Sequence, residues 1–260
     1  MARSLWTGSL SFGLVNVPVQ LVTAVRDLDV HFHQLHEPDT APIDVRRFCS
    51  EEDTEVPYEE IAHSYELDDG REVIVTDDDL VAAAPRKTRT IDIEEFVDLA
   101  DVDPMYFDHP YFLVPRGDAE GIQRAYRLLV EVMVDRDRAA LGRMVLRTKE
   151  HLVAIRVRDG ALALTTMLFH DELRAAGDVD TGSARKPAKR QVDRAVAIVQ
   201  ELSCEWEPER HRDRYRERLQ KVIADKQKGR TIKAPKAERA PGPVPDLMAA
   251  LEQTLEDLKS

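Results

Sequence analysis

Three histidines and a cysteine fall close together early in the chain: His31, His33 and His36, then Cys49. Imidazole and thiolate are the ligands of a structural zinc site, but such a site takes about four ligands, usually in closely spaced pairs. Cys49 is followed by Ser50-Glu51-Glu52-Asp53 and has no second cysteine beside it. The three histidines are better accounted for by a strand and the turn after it, so neither a metal nor any other cofactor is expected. A second candidate is Thr76-Asp77-Asp78-Asp79-Leu80. Adjacent carboxylates can hold Mg²⁺ for phosphodiester cleavage, which would make Asp77, Asp78 and Asp79 the centre of a metal-dependent nuclease. The same residues also make a good helix start. Thr76 or Asp77 can cap the first turn, and the acids that follow meet the positive end of the helix dipole. Pro85 then stops the helix. The helix start is the preferred reading, and no catalytic residue is assigned.

The stretch from Leu141 to Phe169 offers a different chemistry. Read with period two, Met144, Leu146 and Thr148 share one face, while Arg143, Val145, Arg147 and Lys149 share the other. Alternation resumes after Glu150, with Val153, Ile155 and Val157 on one side and Ala154, Arg156 and Arg158 on the opposite side. Asp159-Gly160 tolerates the positive φ angles of a tight primed turn and predicts a hairpin. Leu162, Leu164 and Thr166 lie on the returning strand. The expected product is a sheet with one oily face and one face carrying Arg143, Arg147, Lys149, Arg156 and Arg158. Such a face can rest on phosphates without reading bases. Most charged strand faces are merely solvated, and periodicity alone favours that plainer reading. Arg86, Lys87 and Arg89 form a second short basic patch, ahead of an expected strand Thr90–Ile93; alone it reads as a solvated loop.

These groups need elements to hold them. The chain has 260 residues and 43% apolar content, enough for a core in one large β-rich domain or in a domain with attachments. No apolar run approaches membrane-spanning length, and the segment after Arg3 is amphipathic, so a soluble, cytoplasmic protein without a signal peptide is expected. Cys49 and Cys204 suggest no disulfide framework. The net charge of −12 argues against wholesale nucleic-acid binding, but its distribution is uneven. Residues 1–104 carry 8 basic and 24 acidic side chains, whereas residues 184–240 carry 17 basic and 9 acidic. Such a molecule can repel DNA over most of its surface and accept it at one basic place.

In order along the chain, Ser9–Phe12 and Val15–Leu21 read as strands, with Gly13 marking a bend and Pro18 an edge. Residues 94–118, with Pro104, Pro110 and Pro115 around Tyr106, Phe107, Tyr111 and Phe112, read as short strands and turns whose aromatics serve the core or a subunit contact. Ala119–Val134 is an amphipathic helix. After a polar hinge at 178–187 come two helices, Gln191–Leu202 and Arg210–Lys228. They are amphipathic but have too few core residues to stand alone. Arg210, Arg212, Arg214, Arg216, Arg218 and Lys221 are interleaved with Asp213 and Glu217, which favours a solvated, salt-bridged face. A Pro-rich linker, 229–245, leads to a last helix whose Leu247, Leu251, Leu255 and Leu258 make one stripe. A helix of about twelve residues is marginal alone in water, so the stripe is expected to seat in another protein's groove; docking back on its own barrel is the alternative.

The stretch Ser4-Leu5-Trp6-Thr7-Gly8-Ser9-Leu10-Ser11-Phe12-Gly13-Leu14-Val15-Asn16-Val17-Pro18-Val19 resembles the opening signature of the prokaryotic Ku family. The likeness continues through residues 31–36, 55–61, 88–96, the 141–169 region and Asp213-Arg214-Tyr215, and so covers nearly the whole chain in order. It implies a β-rich α+β fold: a β-barrel core with peripheral helices and a C-terminal helical arm, in a ring-forming homodimer around duplex DNA. It implies no catalysis of the protein's own, and a role in non-homologous end joining near the nucleoid. The implied partners are double-stranded DNA ends, a second copy of the chain, and a multifunctional ATP-dependent DNA ligase. It also raises Arg86, Lys87 and Arg89, with Arg143, Arg147, Lys149, Arg156 and Arg158, to candidate DNA contacts. The leucine stripe resembles the short segment by which bacterial Ku proteins engage their ligase. Expected organisation is a barrel with a DNA-encircling bridge over 1–180, the bridge itself within about 31–75, a helical arm over 185–229, and linker plus ligase-binding helix over 230–260. A Lys-rich tail, carried by some relatives, is not expected to assist DNA contact here. A nuclease built on Asp77–Asp79 and an acidic protein–protein scaffold are the alternatives to this clamp.

Overall fold

Alternating β-branched and polar residues make long antiparallel strands, and the computed structural model closes seven of them into a barrel. The residues it describes are 4–85, 89–136, 138–182, 186–231 and 247–259, with the side chains of residues 258 and 259 left out. β1 (Ser4–Phe12) and β2 (Val15–Thr23) form a hairpin turning at Gly13, whose φ of 56° suits glycine. β5 (Thr90–Asp98) and β6 (Phe107–Pro115) follow after a long excursion. β7 (Arg138–Leu146), β8 (Lys149–Arg158) and β9 (Ala161–Met167) then complete the order β1-β2-β6-β9-β8-β7-β5. Six neighbouring pairs are antiparallel. The seventh, where β5 meets β1, is parallel, with Ser9, Leu10 and Ser11 beside Thr90, Ile91 and Asp92.

Closure removes both sheet edges, so Pro18 is not on an edge. It sits one residue beyond the last β2–β6 pair, Val19 with Pro115, where no ladder N–H is required. Two glycines permit the seams. A Cβ on Gly8 would collide with the Arg89 carbonyl and the Trp6 ring, and one on Gly142 with the Asp92 carbonyl beside the β5 bulge.

The barrel is filled by Leu10, Val17, Val19, Leu21, Ile91, Leu113, Ala140, Met144, Val153, Ile155, Leu162 and Leu164. One end is covered by α2 (Glu120–Arg136), which buries Tyr126, Leu129 and Met133 at helical spacing. The Tyr126 hydroxyl donates to the Leu113 carbonyl at 2.7 Å and accepts from the Leu162 N–H at 2.8 Å. These are facing residues of β6 and β9, so one phenol joins the two strands where their ladder ends. Burial raises that phenol's pKa, keeping it in the donating form.

Between β2 and β5 lie the hairpin of β3 (His63–Glu66) and β4 (Glu72–Val75) and the short α1 (Asp77–Ala83), all largely exposed.

The chain divides into two units, one reaching Asp27 and including His33–Asp178, the other comprising Leu28–Phe32 and the chain from Val179 on. The second unit contains α3 (Lys189–Leu202), α4 (Arg214–Gln227) and α5 (Leu247–Lys259). Neither α3 nor α4 buries a residue fully. α4 starts later than expected because Asp213 caps it, accepting from the Arg216 N–H at 2.9 Å, while residues 208–210 form a 3-10 turn. Most of the Pro-rich linker lies outside the described residues. Within this unit α5 packs against α3.

Candidate nucleic-acid interface

Three of the groups that could have held a metal, Asp79, His36 and Cys49, have other partners. Thr76 accepts from the Asp79 N–H at 3.2 Å, and the Asp79 carboxylate accepts from the Thr76 N–H at 3.0 Å and its hydroxyl at 2.7 Å. This reciprocal cap holds the Asp79 carboxyl below its ordinary pKa, chiefly through the Thr76 side chain, and explains the acidic run as a helix start. His36 Nδ1 lies 2.8 Å from the Asp39 carboxylate. Backbone N–H groups of Glu52 and Glu51 depress the Cys49 thiol. Among the described residues, no three His, Cys, Asp or Glu side chains are placed to hold a metal ion.

The basic residues are distributed differently from the single face that alternation predicts. The β7–β8 hairpin reverses at Arg147-Thr148, with Arg147 at a φ of 61°, and Leu146 pairs directly with Lys149. The turn resets the alternation. Lys149 therefore shares the face of Leu146 and His151, not that of Arg143, Arg156 and Arg158, and Arg147 belongs to the turn. Arg143, Arg156 and Arg158 do lie on the outer face of β7 and β8, beside Leu152, Ala163 and Ala161.

The electrostatics separate these cations further. Arg143 lies 2.9 Å from Glu150 and 3.2 Å from Glu94, with its guanidinium 5.9 Å from the Phe169 ring. The Glu150 hydrogen bond and the Glu94 charge raise its pKa. Two carboxylates thus already balance its charge, which argues against a free phosphate contact. Arg158 approaches Asp159 at 3.6 Å and Lys149 approaches Glu172 at 3.6 Å, both exposed pairs that water weakens. Among the described residues Arg147 and Arg156 make no ion pair.

Topology gathers three of the candidates at one place. β5 and β7 are antiparallel, so Arg89, just before β5, and Arg147, just after β7, lie on the same barrel rim, where β8 begins at Lys149. The Arg89 backbone is fixed there by the Ser9 N–H, 2.9 Å from its carbonyl. Arg86 and Lys87, which precede it, fall outside the described residues. Arg156 and Arg158 belong to the opposite rim, beneath α2, where Arg138 and Arg156 line one hollow with Leu99 and Met133.

Sequence reasoning passed over Arg138 and the rim group around His151. His151 lies in the field of Lys149, Asp108 and Glu172; burial first, then the Lys149 charge, lowers its pKa, while the two carboxylates act the other way. Asp108 accepts from the buried Thr166 hydroxyl at 3.1 Å, and the His109 N–H donates to the same hydroxyl at 3.0 Å. A break in alternation at residue 147 was the available signal, and no glycine or asparagine marked it. Of the predicted partner-binding stripe, Leu255 is 6% exposed and Leu251 is half-buried, but Leu247 is 51% exposed. The contact face runs through Met248, Leu251 and Leu255, leaving Leu247 at its margin. The Leu258 side chain is outside the described set.

Residues 11–194 match the model of the Ku70/Ku80 beta-barrel domain. The chain is 45% identical to a protein of Anaeromyxobacter sp. (strain K) named non-homologous end joining protein Ku, over 98% of this chain and 86% of that one. It is 38% identical to the Ku 1 protein of Geotalea uraniireducens, covering 99% and 98% of the two chains. To the Ku protein of Mycobacterium tuberculosis it is 37% identical, covering 97% and 94%.

Proposed function

The chain belongs to the Ku family of non-homologous end joining proteins, and on that premise we propose that it binds double-stranded DNA ends without regard to sequence, as a homodimeric ring, and recruits and stimulates a DNA ligase. The observation that carries this reading is the gathering of Arg89, Arg147 and Lys149 on one barrel rim of a molecule whose net charge is −12. Two copies would supply two such rims. Arg86 and Lys87, next to Arg89 in sequence, join the proposed phosphate contacts; Arg156 and Arg158 would make separate contacts from the opposite rim, and Arg143 is the weakest candidate because its charge is already balanced. Contacts of this kind go to phosphates, so affinity falls steeply with salt and ignores base sequence.

The requirement for an end is topological. A closed ring cannot load onto an uninterrupted circle, and nothing in this mechanism asks for a catalytic group or cofactor. In the proposed organisation the barrel unit holds the duplex and the excursion between β2 and β5 supplies the bridge. The arm over 185–229 braces the dimer, and α5 engages a multifunctional ATP-dependent ligase in the cytoplasm, at the nucleoid. Asp79 is already occupied in its cap, so the nuclease has no observation in its favour.

A gel shift tests threading. Linearised plasmid should be retarded and relaxed circular plasmid of the same sequence should not; equal binding of both overturns the ring. Removal of residues 244–260 tests recruitment: end binding should persist while ligase stimulation disappears, and unchanged ligation overturns the role of α5.

A further inference from the structure

Within the C-terminal unit, α5 lies against α3, and Arg190 of α3 reaches Glu252 of α5 at 3.2 Å. The face of α5 that is covered is its apolar one, with Leu255 buried and Met248, Leu251 and Glu252 half-buried around it. On α3 the shielded residues Gln191, Ala195 and Ile198 recur at i, i+4 and i+7, one stripe of the helix. A second stripe, Val192, Val196 and Val199, stays exposed. A thirteen-residue helix has one apolar face, so the face that would enter a partner's groove is the face already occupied.

We infer that α3 is a resident dock for α5, and that a partner must displace this intramolecular contact before it can take the helix. The inference rests on the ligase reading of α5 given above. The dock shares a chain with its ligand, so even a weak contact competes at a high effective concentration. The apparent affinity for the partner is then reduced by the fraction of molecules in which α5 is released. Substitutions on α3, which need not touch the partner, should tighten partner binding.

The test uses the full-length protein and two α3 variants, Ile198→Asp and the exposed Arg190→Glu. Hydrogen exchange at residues 247–259 reads the dock without any partner. Wild-type amides should exchange about tenfold or more slowly than in Ile198→Asp, with Arg190→Glu between them. Titration with the purified ligase should then show tighter binding by several-fold for Ile198→Asp and by less for Arg190→Glu. Wild-type amides that exchange at free-peptide rates overturn the dock, as does Ile198→Asp leaving both readouts unchanged. Should Ile198→Asp fail to fold, Arg190→Glu alone decides, since its side chain is solvent-exposed. If the amides behave as stated but the ligase binds none of the proteins, the dock stands and the ligase reading falls.

Discussion

The barrel and the C-terminal helices solve the same problem in opposite ways. In the barrel, Val19, Leu21, Ile91, Leu113, Val153, Ile155, Leu162 and Leu164 are wholly withdrawn from water within a single closed sheet. In the helical unit many apolar residues stay uncovered: Val199 is 64% exposed and Trp206 75%. The hydrophobic effect scales with area removed from water, so the first region carries its own stability and the second has apolar area still to bury. A self-contained core suits a scaffold that must hold cations in fixed places. Uncovered amphipathic faces suit a segment whose structure is completed by association.

The contrast breaks most visibly in thermal stability. Leu164→Ala, in the filled barrel, should destabilise by about 2–5 kcal/mol, whereas Val199→Ala on α3 should change the stability of the isolated subunit by less than about 0.5 kcal/mol. Denaturant titration of each variant checks this, and a large loss at Val199 would show that the exposed valine stripe of α3 is already covered in the subunit. Charge sharpens the comparison next. Arg147→Glu, on the rim and without an ion pair among the described residues, should weaken DNA-end binding by about tenfold and flatten the salt dependence by about one unit of slope. Arg212→Glu in the helical unit, whose cations alternate with acids, should shift affinity less than about twofold. Filter binding across a salt series separates the two, and Arg143→Glu, from a position already balanced by two carboxylates, should fall between them.

The smallest effect concerns pH. His151 has its pKa lowered from 6.5 in the folded barrel, chiefly by burial. The unfolded chain therefore takes up the proton more readily than the folded one. The stability this histidine contributes is complete above its ordinary pKa of 6.5, and is lost as pH falls below it towards the folded value. Melting temperatures of the wild type and His151→Gln, measured between pH 7.5 and 5 (about the window set by an ordinary histidine), should diverge at the acid end, the wild type falling faster. Parallel curves would place the histidine outside this account.

Much of the barrel could be read from residue types. Alternation gave β8 and β9, and Asp159-Gly160 marks their turn, with φ of 52° and 77°. The cap at Thr76 and the span of α2 followed from side-chain chemistry. The turn at Arg147 was hidden because an arginine occupies the left-handed region there, where glycine or asparagine would have announced it. That one residue misplaced Lys149 and merged a rim with a face. The parallel β1–β5 seam was hidden for another reason: it joins segments far apart in the chain, and local periodicity holds no record of non-local pairing. Arg143 was legible as a cation but not as a neutralised one, since Glu94 reaches it only through the β5–β7 pairing. The α5 stripe was legible as apolar; its resting place on α3 was not.

The seam has a cost during synthesis. Ser9 can find Thr90 only after 81 further residues have been made, and until then the first hairpin leaves the ribosome with an open strand edge able to pair with the wrong neighbour. The stretch that emerges in between is rich in Asp and Glu up to Asp79, and charge of a single sign opposes the close approach of two copies.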